Sequence, residues 1–347
     1  MGKRRRLANW FHHTGTMPWL ESVRSLLRSD LRILAYHRVL ESAEPEGFRF
    51  DPELISASAE QFHDQMKLLR RRFHPLSFEE LLACIDRGSR LPRHAVMVTF
   101  DDGYDDNYRV AFPILRDQGM SAMFFVSTGH IDSGQPYAYD WLVYMICTTG
   151  ATRLQVAEAD MDVPVPESID ARRELVVHLL DRIKHLPADV QSGIIRRLEH
   201  DWDIPRVPHP DCRPMTWDQL REMQRGGMEI GSHGVDHLML SKLPREHMRR
   251  EVFESKHRLE QELGVPANVL SYPVGGPHAF DATVEETVRE AGYRLACSYI
   301  AGTSTTADAS RYSLRRVAVE RQVDAPWFEA IVTLPEAFCY APHQRNG

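Results

Sequence analysis

The 347-residue sequence contains no apolar run that approaches the length of a membrane-spanning helix. Hydrophobic residues make up 43% of the chain and charged residues 26%, which is close to the average for globular domains. These proportions argue against an integral membrane protein. The length allows one large α/β domain with an insertion, or two smaller domains.

The sequence also lacks an excess of basic residues and any paired cysteine motif. It has 42 Lys and Arg against 49 Asp and Glu, a net charge of -7, so we expect no nucleic-acid partner. Five cysteines are scattered without CxxC spacing. This pattern excludes a disulfide framework and a structural zinc knuckle.

An apolar segment is missing after the basic cluster Lys3–Arg6, where a secretory signal would have one. Export by that route is therefore not expected, and a cytoplasmic location is. Residues 1–30 are interpreted as an N-terminal extension that is either a helix packed on the domain or a basic, amphipathic contact with anionic lipid at the inner membrane face. Apolar residues recur in it at helical spacing: Trp19, Leu20, Val23, Leu26 and Leu27.

From residue 31 to residue 347, short β-rich runs alternate with helical patterns, which predicts parallel strands joined by crossover helices. About seven β/α units are expected, and these fit a barrel. Capping-box pairs predict three helix starts, at Ser58 with Gln61, Ser77 with Glu80, and Thr216 with Gln219. Strands are predicted near 31–36, 95–98, 121–127, 228–231, 269–272, 293–298 and 314–319.

Residues 130–214 interrupt this alternation with proline-rich segments around a charged helical piece at 168–199. We interpret them as a mostly helical insertion on the side where the catalytic loops of such barrels emerge. It either covers a substrate groove or is a structural addition. Its aromatic residues could stack on sugar rings, although their spacing is more typical of a core: Tyr139, Trp141 and Tyr144.

Two adjacent carboxylates, Asp101 and Asp102, follow the apolar run Ala95–Val98. Both can stay ionised at this short separation only if a cation or strong donors lie beside them. This pair therefore predicts a functional site at the end of a buried strand. The next three polar residues are interpreted as caps of the following helix: Asp105, Asp106 and Asn107.

Two histidines, His233 and His237, follow the predicted strand at 228–231 with a spacing of four. On one helical turn both imidazoles can reach a single cation. Because the carboxyl ends of parallel barrel strands share one face, the acidic pair can converge on the histidines there. Two histidines and one carboxylate form a metal site, and the second carboxylate can accept a proton from an activated water. Zinc suits this donor set best, and cobalt, nickel or manganese also fits it.

The stretches Thr99–Tyr104 and Ser232–His237 resemble the first two motifs of the polysaccharide deacetylases, the NodB-homology or carbohydrate esterase 4 family. Further similar stretches are Ala35–Val39, Met215–Leu220 and Ser271–Gly275. The resemblance implies a distorted (β/α)7 barrel that hydrolyses N-acetyl groups on amino sugars. It also implies roles for individual residues: Asp101 as general base, Asp102, His233 and His237 as metal ligands, and the Val274 amide as donor to the oxyanion.

The sequence departs from the family pattern at two positions. Ser271 stands where many members have an arginine that orients the catalytic aspartate, and the Leu-x-His motif that supplies the usual histidine acid is absent near Leu314. His37, at the end of the first predicted strand, is the substitute acid, although a structural role for it is nearly as well supported. Arg315 or Arg316 could replace the missing arginine from another strand.

The expected substrate is a polysaccharide or a lipid-linked oligosaccharide, in cell-surface or exopolysaccharide synthesis. Two alternatives remain at this point. The same site could serve an O-acetyl sugar esterase or a hydrolase of another small amide, and the two departures could mark a catalytically silent carbohydrate-binding barrel.

Overall fold

Seven parallel strands close into a barrel in the computed structural model of the protein, which describes residues 2–45, 47–305 and 311–340. Each strand pairs with the next along the chain, and the last pairs with the first. The predicted distorted (β/α)7 barrel is thus confirmed. The barrel strands are β1 (Arg32–Tyr36), β2 (Ala95–Phe100), β3 (Met123–Val126), β4 (Glu229–Ser232), β5 (Val269–Ser271), β6 (Leu295–Ala301) and β7 (Leu314–Ala318).

The register of β1 shows the closure directly. Leu34 lies beside Val98 of β2 and beside Val317 of β7, and both pairings are parallel. The pairing of β6 with β7 is irregular, because its register shifts between Cys297 and Ala301. All seven strands therefore end at the same mouth of the barrel.

Side chains of β2 alternate between two cores. Met97 belongs to the cluster that fills the barrel interior, whereas Val96 and Val98 pack toward the surrounding helices. The whole strand is buried on both faces, as expected for a parallel sheet covered by helices. The same alternation directs Thr99 and Asp101 inward at the mouth.

Helices surround the barrel and connect its strands. All three predicted capping boxes are confirmed, with Ser58, Ser77 and Thr216 as N-caps. The helices are α1 (Lys3–Thr14), α2 (Met17–Leu27), α3 (Ala59–Arg72), α4 (Phe78–Asp86), α5 (Phe112–Asp117), α6 (Thr128–Ser133), α7 (Ala138–Thr148), α8 (Ile169–Ile183), α9 (Ala188–Asp201), α10 (Trp217–Arg225), α11 (Arg245–Leu263), α12 (Ala282–Glu290), α13 (Ala325–Thr333) and α14 (Pro335–Phe338).

Short strands and turns complete the described chain. Arg38–Leu40 pairs with Ile55–Ser58, His74–Pro75 extends the sheet beside β2, and Arg153–Val156 forms an antiparallel ribbon with Met161–Pro164. A π-helical turn, Asn107–Ala111, precedes α5. Single 3₁₀ turns cover Pro52–Leu54, Ala157–Ala159 and Leu240–Lys242.

The chain between β3 and β4 contains α6 to α10 and the antiparallel ribbon. It has a hydrophobic core of its own, which also takes in Phe50 from the loop after β1. The bounds 130 and 214 for an insertion stay a prediction. Large residues of this second core include Trp141, Leu142, Ile146, Leu179, Ile183 and Leu198.

Across the described residues, no helix combines the length and the apolar character that crossing a membrane requires.

Candidate active site

Three side chains meet at the mouth of the barrel: Asp102, which follows β2, and His233 and His237, which follow β4. Their ligand atoms lie within 4.8 Å of one another. The Nε2 atoms of His233 and His237 are 3.4 and 3.3 Å from Asp102 Oδ1. The structure thus brings together the three residues that the sequence predicts as metal ligands.

The surroundings of these atoms fit a divalent cation. Asp102 Oδ1 is buried and accepts no hydrogen bond within the described chain. His233 Nδ1 lies 2.7 Å from the carbonyl oxygen of Ser271, so this nitrogen carries a proton and the ring is held with Nε2 toward Asp102. Two imidazole nitrogens and a carboxylate oxygen are the donors that zinc and similar ions bind.

The backbone is strained at several site residues. Asp102, His237 and Val274 have φ values of 75°, 55° and 64°, in the left-handed region. A β-branched residue such as Val274 rarely adopts this conformation, and strain of this kind concentrates at functional sites. Gly234 also has a positive φ, and a Cβ there would lie 2.9 Å from Glu251 Oε2. A side chain at position 234 would therefore displace the loop that carries both histidines.

Asp101 is held by the guanidinium of Arg316 from β7. Arg316 Nη1 donates to Oδ1 at 2.8 Å and Nη2 to Oδ2 at 2.7 Å, and both side chains are buried. Burial by itself raises the pKa of Asp101, but the Arg316 charge prevails and lowers it below the ordinary value. Asp101 is therefore an ionised carboxylate beside the three ligand side chains.

Ser271 and Arg316 together explain the missing arginine. Arg316 Nη2 also donates to Ser271 Oγ at 3.0 Å, so the small side chain on β5 leaves space for the guanidinium and binds it. Arg315, the other candidate, is exposed and donates to the Ala301 carbonyl. Of the two predicted replacements, only Arg316 contacts Asp101.

His37 and Val274 line the same cleft as the acidic pair. The backbone of His37 is fixed on both sides, since its N–H donates to Ser56 Oγ and its carbonyl accepts from Asn107 Nδ2. Its ring lies 5.4 Å from that of Tyr299, centre to centre. The Val274 N–H has no hydrogen-bond acceptor in the described chain and is therefore free to bind a ligand.

The capping interpretation of residues 105–107 is wrong. Asp106 stands at the N-cap of the π-helical turn, but its side chain makes no capping hydrogen bond there. It forms a buried ion pair with Arg38 at 2.8 Å and accepts from the Val39 N–H. Asp105 instead binds Arg213 and Gln219. Asp106 thus joins the loop after β2 to the chain after β1, and Asp105 joins it to the chain between β3 and β4. Tertiary partners compete with the helix end for the same oxygens.

The chain between β3 and β4 forms one wall of the cleft. Tyr139 lines it, whereas Trp141 is buried in the second core and Tyr144 stacks against it. Tyr272 and Tyr299, from the chain after β5 and from β6, also line the cleft. Cleft residues from the β3–β4 segment are Tyr137, Tyr139, Asp140, Leu180, Asp181, Lys184, Ala188 and Gln191.

Sequence reasoning missed two residues that support the ligands. Tyr137 donates from its hydroxyl to the Asp102 carbonyl at 2.5 Å, and its ring lies 5.0 Å from that of His237. Glu251 of α11 is fully buried and accepts hydrogen bonds from the Val235 and Asp236 N–H groups. Glu251 falls at helical spacing with the apolar residues Met248, Val252 and Leu259, which was a usable signal for it. Nothing comparable marks Tyr137.

A family model and a curated protein match this sequence. The sequence model of the family described as polysaccharide deacetylase matches residues 88–296. "Putative polysaccharide deacetylase YxkH" of Bacillus subtilis (strain 168) is 22% identical over 320 residues, covering 91% of this chain and 80% of that protein.

Two solved structures are similar in fold. The Streptococcus pyogenes deacetylase PplD, in complex with acetate, superposes with a TM-score of 0.57 at 18% identity, over 89% of this chain and 98% of that one. IcaB from Ammonifex degensii superposes with a TM-score of 0.54 at 19% identity, over 88% and 96%. At these identities the two likenesses support the barrel fold.

Proposed function

Because the chain belongs to the polysaccharide deacetylase family, we propose that it removes N-acetyl groups from amino-sugar residues by metal-dependent hydrolysis. The observation that carries this proposal is the convergence of Asp102, His233 and His237 beside an Asp101 that Arg316 holds ionised. The substrate is a polysaccharide or a lipid-linked oligosaccharide.

Asp102 Oδ1 and the Nε2 atoms of His233 and His237 would hold one divalent ion, with Zn²⁺ as the best match and Co²⁺, Ni²⁺ or Mn²⁺ as alternatives. Such an ion polarises the acetyl carbonyl and lowers the pKa of water toward neutrality. The Ser271 carbonyl supports this arrangement, because its hydrogen bond holds the His233 ring with Nε2 toward Asp102.

Asp101 acts as the general base in this proposal. It takes a proton from the water that attacks the acetyl carbon, and so it must be ionised at the start of the reaction. The bidentate hydrogen bonds from Arg316 meet this need in two ways. They lower the pKa of Asp101, and they fix the direction in which its oxygens point.

Charge that develops on the acetyl oxygen requires a donor, and the leaving amine requires a proton. The free N–H of Val274 is the proposed oxyanion donor, since this residue lines the cleft and its N–H has no acceptor within the described chain. His37 is the proposed acid that protonates the amine, because it lines the cleft with Asp101 and Asp102 and an imidazole can donate a proton.

Residues of the barrel mouth and of the β3–β4 segment line the cleft together. We assign the segment near 130–214 the task of covering the groove. Tyr139 is the aromatic residue in it that is placed to stack on a sugar ring. We also propose that the protein acts in the cytoplasm, in cell-surface or exopolysaccharide synthesis.

The activity can be tested by stripping the purified chain with a chelator, restoring single metals, and measuring acetate release from N-acetylglucosamine oligomers. We expect release only after a divalent ion is restored. A matched series of O-acetylated sugars separates the amidase from the esterase alternative. A chain that binds divalent ions yet releases no acetate from either series would contradict the proposal.

Measuring the metal that the purified protein retains distinguishes the hydrolase from the remaining alternative. A catalytically silent carbohydrate-binding barrel would bind the oligomers without needing the ion. Oligomer binding that is unchanged by the chelator, together with the absence of bound metal in excess zinc, would favour that alternative over the hydrolase.

A further inference from the structure

The two N-terminal helices have an unusual distribution of apolar side chains. Large hydrophobic residues exposed to solvent are concentrated there, and few occur elsewhere in the described chain. Trp19 is 66% exposed and Leu27 is 81% exposed. The exposed large hydrophobic residues in α1 and α2 are Leu7, Trp10, Trp19, Val23, Leu26 and Leu27.

Helix α2 is inverted relative to an ordinary surface helix. Its solvent-facing stripe is apolar, because Trp19, Val23 and Leu26 recur at helical spacing and all are exposed. Its protein-facing side instead buries Glu21 and Arg24. Burying charged groups and exposing tryptophan and leucine both cost free energy in water. We therefore expect the exposed stripe to contact a non-aqueous partner.

The buried charges are fully engaged, which fixes the orientation of α2. Arg24 pairs with Asp30 and with Glu336 of α14, each at 2.5 Å. Glu21 pairs with Arg32, the first residue of β1, at 2.8 Å. The helix therefore cannot roll its apolar stripe inward without breaking these ion pairs.

Helix α1 is anchored in the same way and carries exposed cations. Arg5 pairs with Asp324 and His12 with Glu329, both on the protein-facing side. Lys3, Arg4 and Arg6 are exposed, and none of the three has an ion-pair partner among the residues that the structure describes. Leu7 and Trp10 lie among these cations and point to solvent.

The local charge is opposite to that of the whole chain. Residues 1–29 contain six Lys and Arg against one acidic residue, Glu21, which is buried, whereas the net charge of the chain is -7. We infer that α1 and α2 form a docking surface for an anionic lipid bilayer, with Trp10, Trp19 and Leu26 entering the interface and Lys3, Arg4 and Arg6 meeting the headgroups.

This occupant matches the surface better than a second copy of the chain. Two copies would bring like-charged clusters together, whereas acidic phospholipids complement them. Both helices are far shorter than the roughly 20 residues that a spanning helix requires, so they lie in the interface rather than cross it. Because Glu21 contacts Arg32 at the start of β1, α2 lies at the barrel end opposite the catalytic mouth.

Vesicle co-sedimentation of the full chain tests the inference. We expect the wild-type chain to pellet with vesicles of phosphatidylglycerol and phosphatidylcholine, and far less with phosphatidylcholine alone. Binding should weaken in high salt, which screens the cations. The double variant Trp19→Ser/Leu26→Ser should lose most of the binding, and Lys3→Ser/Arg4→Ser/Arg6→Ser should lower partitioning on the order of 100-fold.

A matched control removes exposed apolar residues elsewhere, as Val177→Ser/Val207→Ser, and should bind like the wild type. Thermal unfolding of each variant checks that it is folded, and acetate release from a soluble oligomer separates this test from that of the catalytic proposal. Equal binding by Trp19→Ser/Leu26→Ser and the wild type would overturn the inference. So would a wild-type dimer, formed without vesicles, that this variant disrupts.

Discussion

Arg316 and Asp101 lie 215 residues apart in the chain and are joined by two buried hydrogen bonds of 2.8 and 2.7 Å. This pair connects the last barrel strand to the proposed general base. Arg316 on β7 thus supplies to Asp101 the support that an arginine at position 271 on β5 would give. The guanidinium touches Ser271 Oγ as well, so the serine and the relocated arginine form one structural unit.

Replacing this arginine should shift the pH dependence of catalysis. In Arg316→Met the cation is lost while burial persists, so the pKa of Asp101 rises. The base is then ionised only at higher pH, and the acidic limb of the kcat/KM profile should move upward. At neutral pH we expect kcat/KM to fall by about 100-fold or more.

Two related variants serve as controls for this prediction. Arg316→Lys keeps the charge but loses the bidentate geometry, so its acidic limb should move less. Arg315→Met changes the exposed neighbour and should match the wild type. An unchanged acidic limb in Arg316→Met would show that another group sets the ionisation of the base.

The two adjacent aspartates should separate metal binding from proton transfer. Asp101→Asn should retain the divalent ion, as measured by metal analysis of the purified protein, and lose nearly all acetate release. Asp102→Asn should lose both, because it removes the one anionic ligand. Full acetate release by Asp101→Asn would reject Asp101 as the base, and tight metal binding by Asp102→Asn would reject the ligand assignment.

The loss of activity on replacing His37 should depend on the leaving group. His37→Ala is expected to lower kcat for N-acetyl substrates by about 100-fold, since the departing amine needs a proton. An aryl acetate, whose phenolate leaves without protonation, should lose much less. His178→Ala, an exposed histidine on α8, is the matched control. An equal loss with both substrates would indicate a structural role for His37.

Glu251 should control the loop that carries both histidines. Glu251→Leu removes the acceptor of the partly buried hydrogen bonds from the Val235 and Asp236 N–H groups, so the free energy of unfolding should fall by about 2–4 kcal/mol. The Kd for zinc should rise, because the loop no longer holds His233 and His237 in position.

A conservative substitution of Glu251 separates its role in positioning the loop from the effect of its charge. Glu251→Gln keeps a carbonyl oxygen for both N–H groups and should restore most of the stability and the zinc affinity. Glu254→Ala, three residues along the exposed side of α11, is the control. If Glu251→Leu binds zinc as tightly as the wild type, the loop is held by other contacts.

Much of the fold follows from local patterns. Runs such as Ala95–Phe100 alternate with helices whose starts at Ser58, Ser77 and Thr216 are marked by residues three positions apart. These signals depend on side chains close in sequence, and so they could be predicted. The convergence of Asp102 with His233 and His237 was also predictable, since parallel strands bring their carboxyl ends to one face.

Other features depend on distant neighbours. The sequence alone could not choose between Arg315 and Arg316, because the choice depends on which residue of β7 points into the barrel mouth. The same limit produced the error at Asp106, whose oxygens bind Arg38 rather than the nearby helix end.

The sequence by itself determined the parallel strands, the capped helices and the residue types of the proposed metal-ligand set. Only the tertiary structure decided which guanidinium holds Asp101, that Tyr137 and Glu251 support the ligands, and that α2 turns its apolar stripe outward. The physical reason is the separation along the chain over which each interaction acts. Periodicity and capping act over a few residues, whereas buried hydrogen bonds and ion pairs join side chains that only the closed barrel brings together.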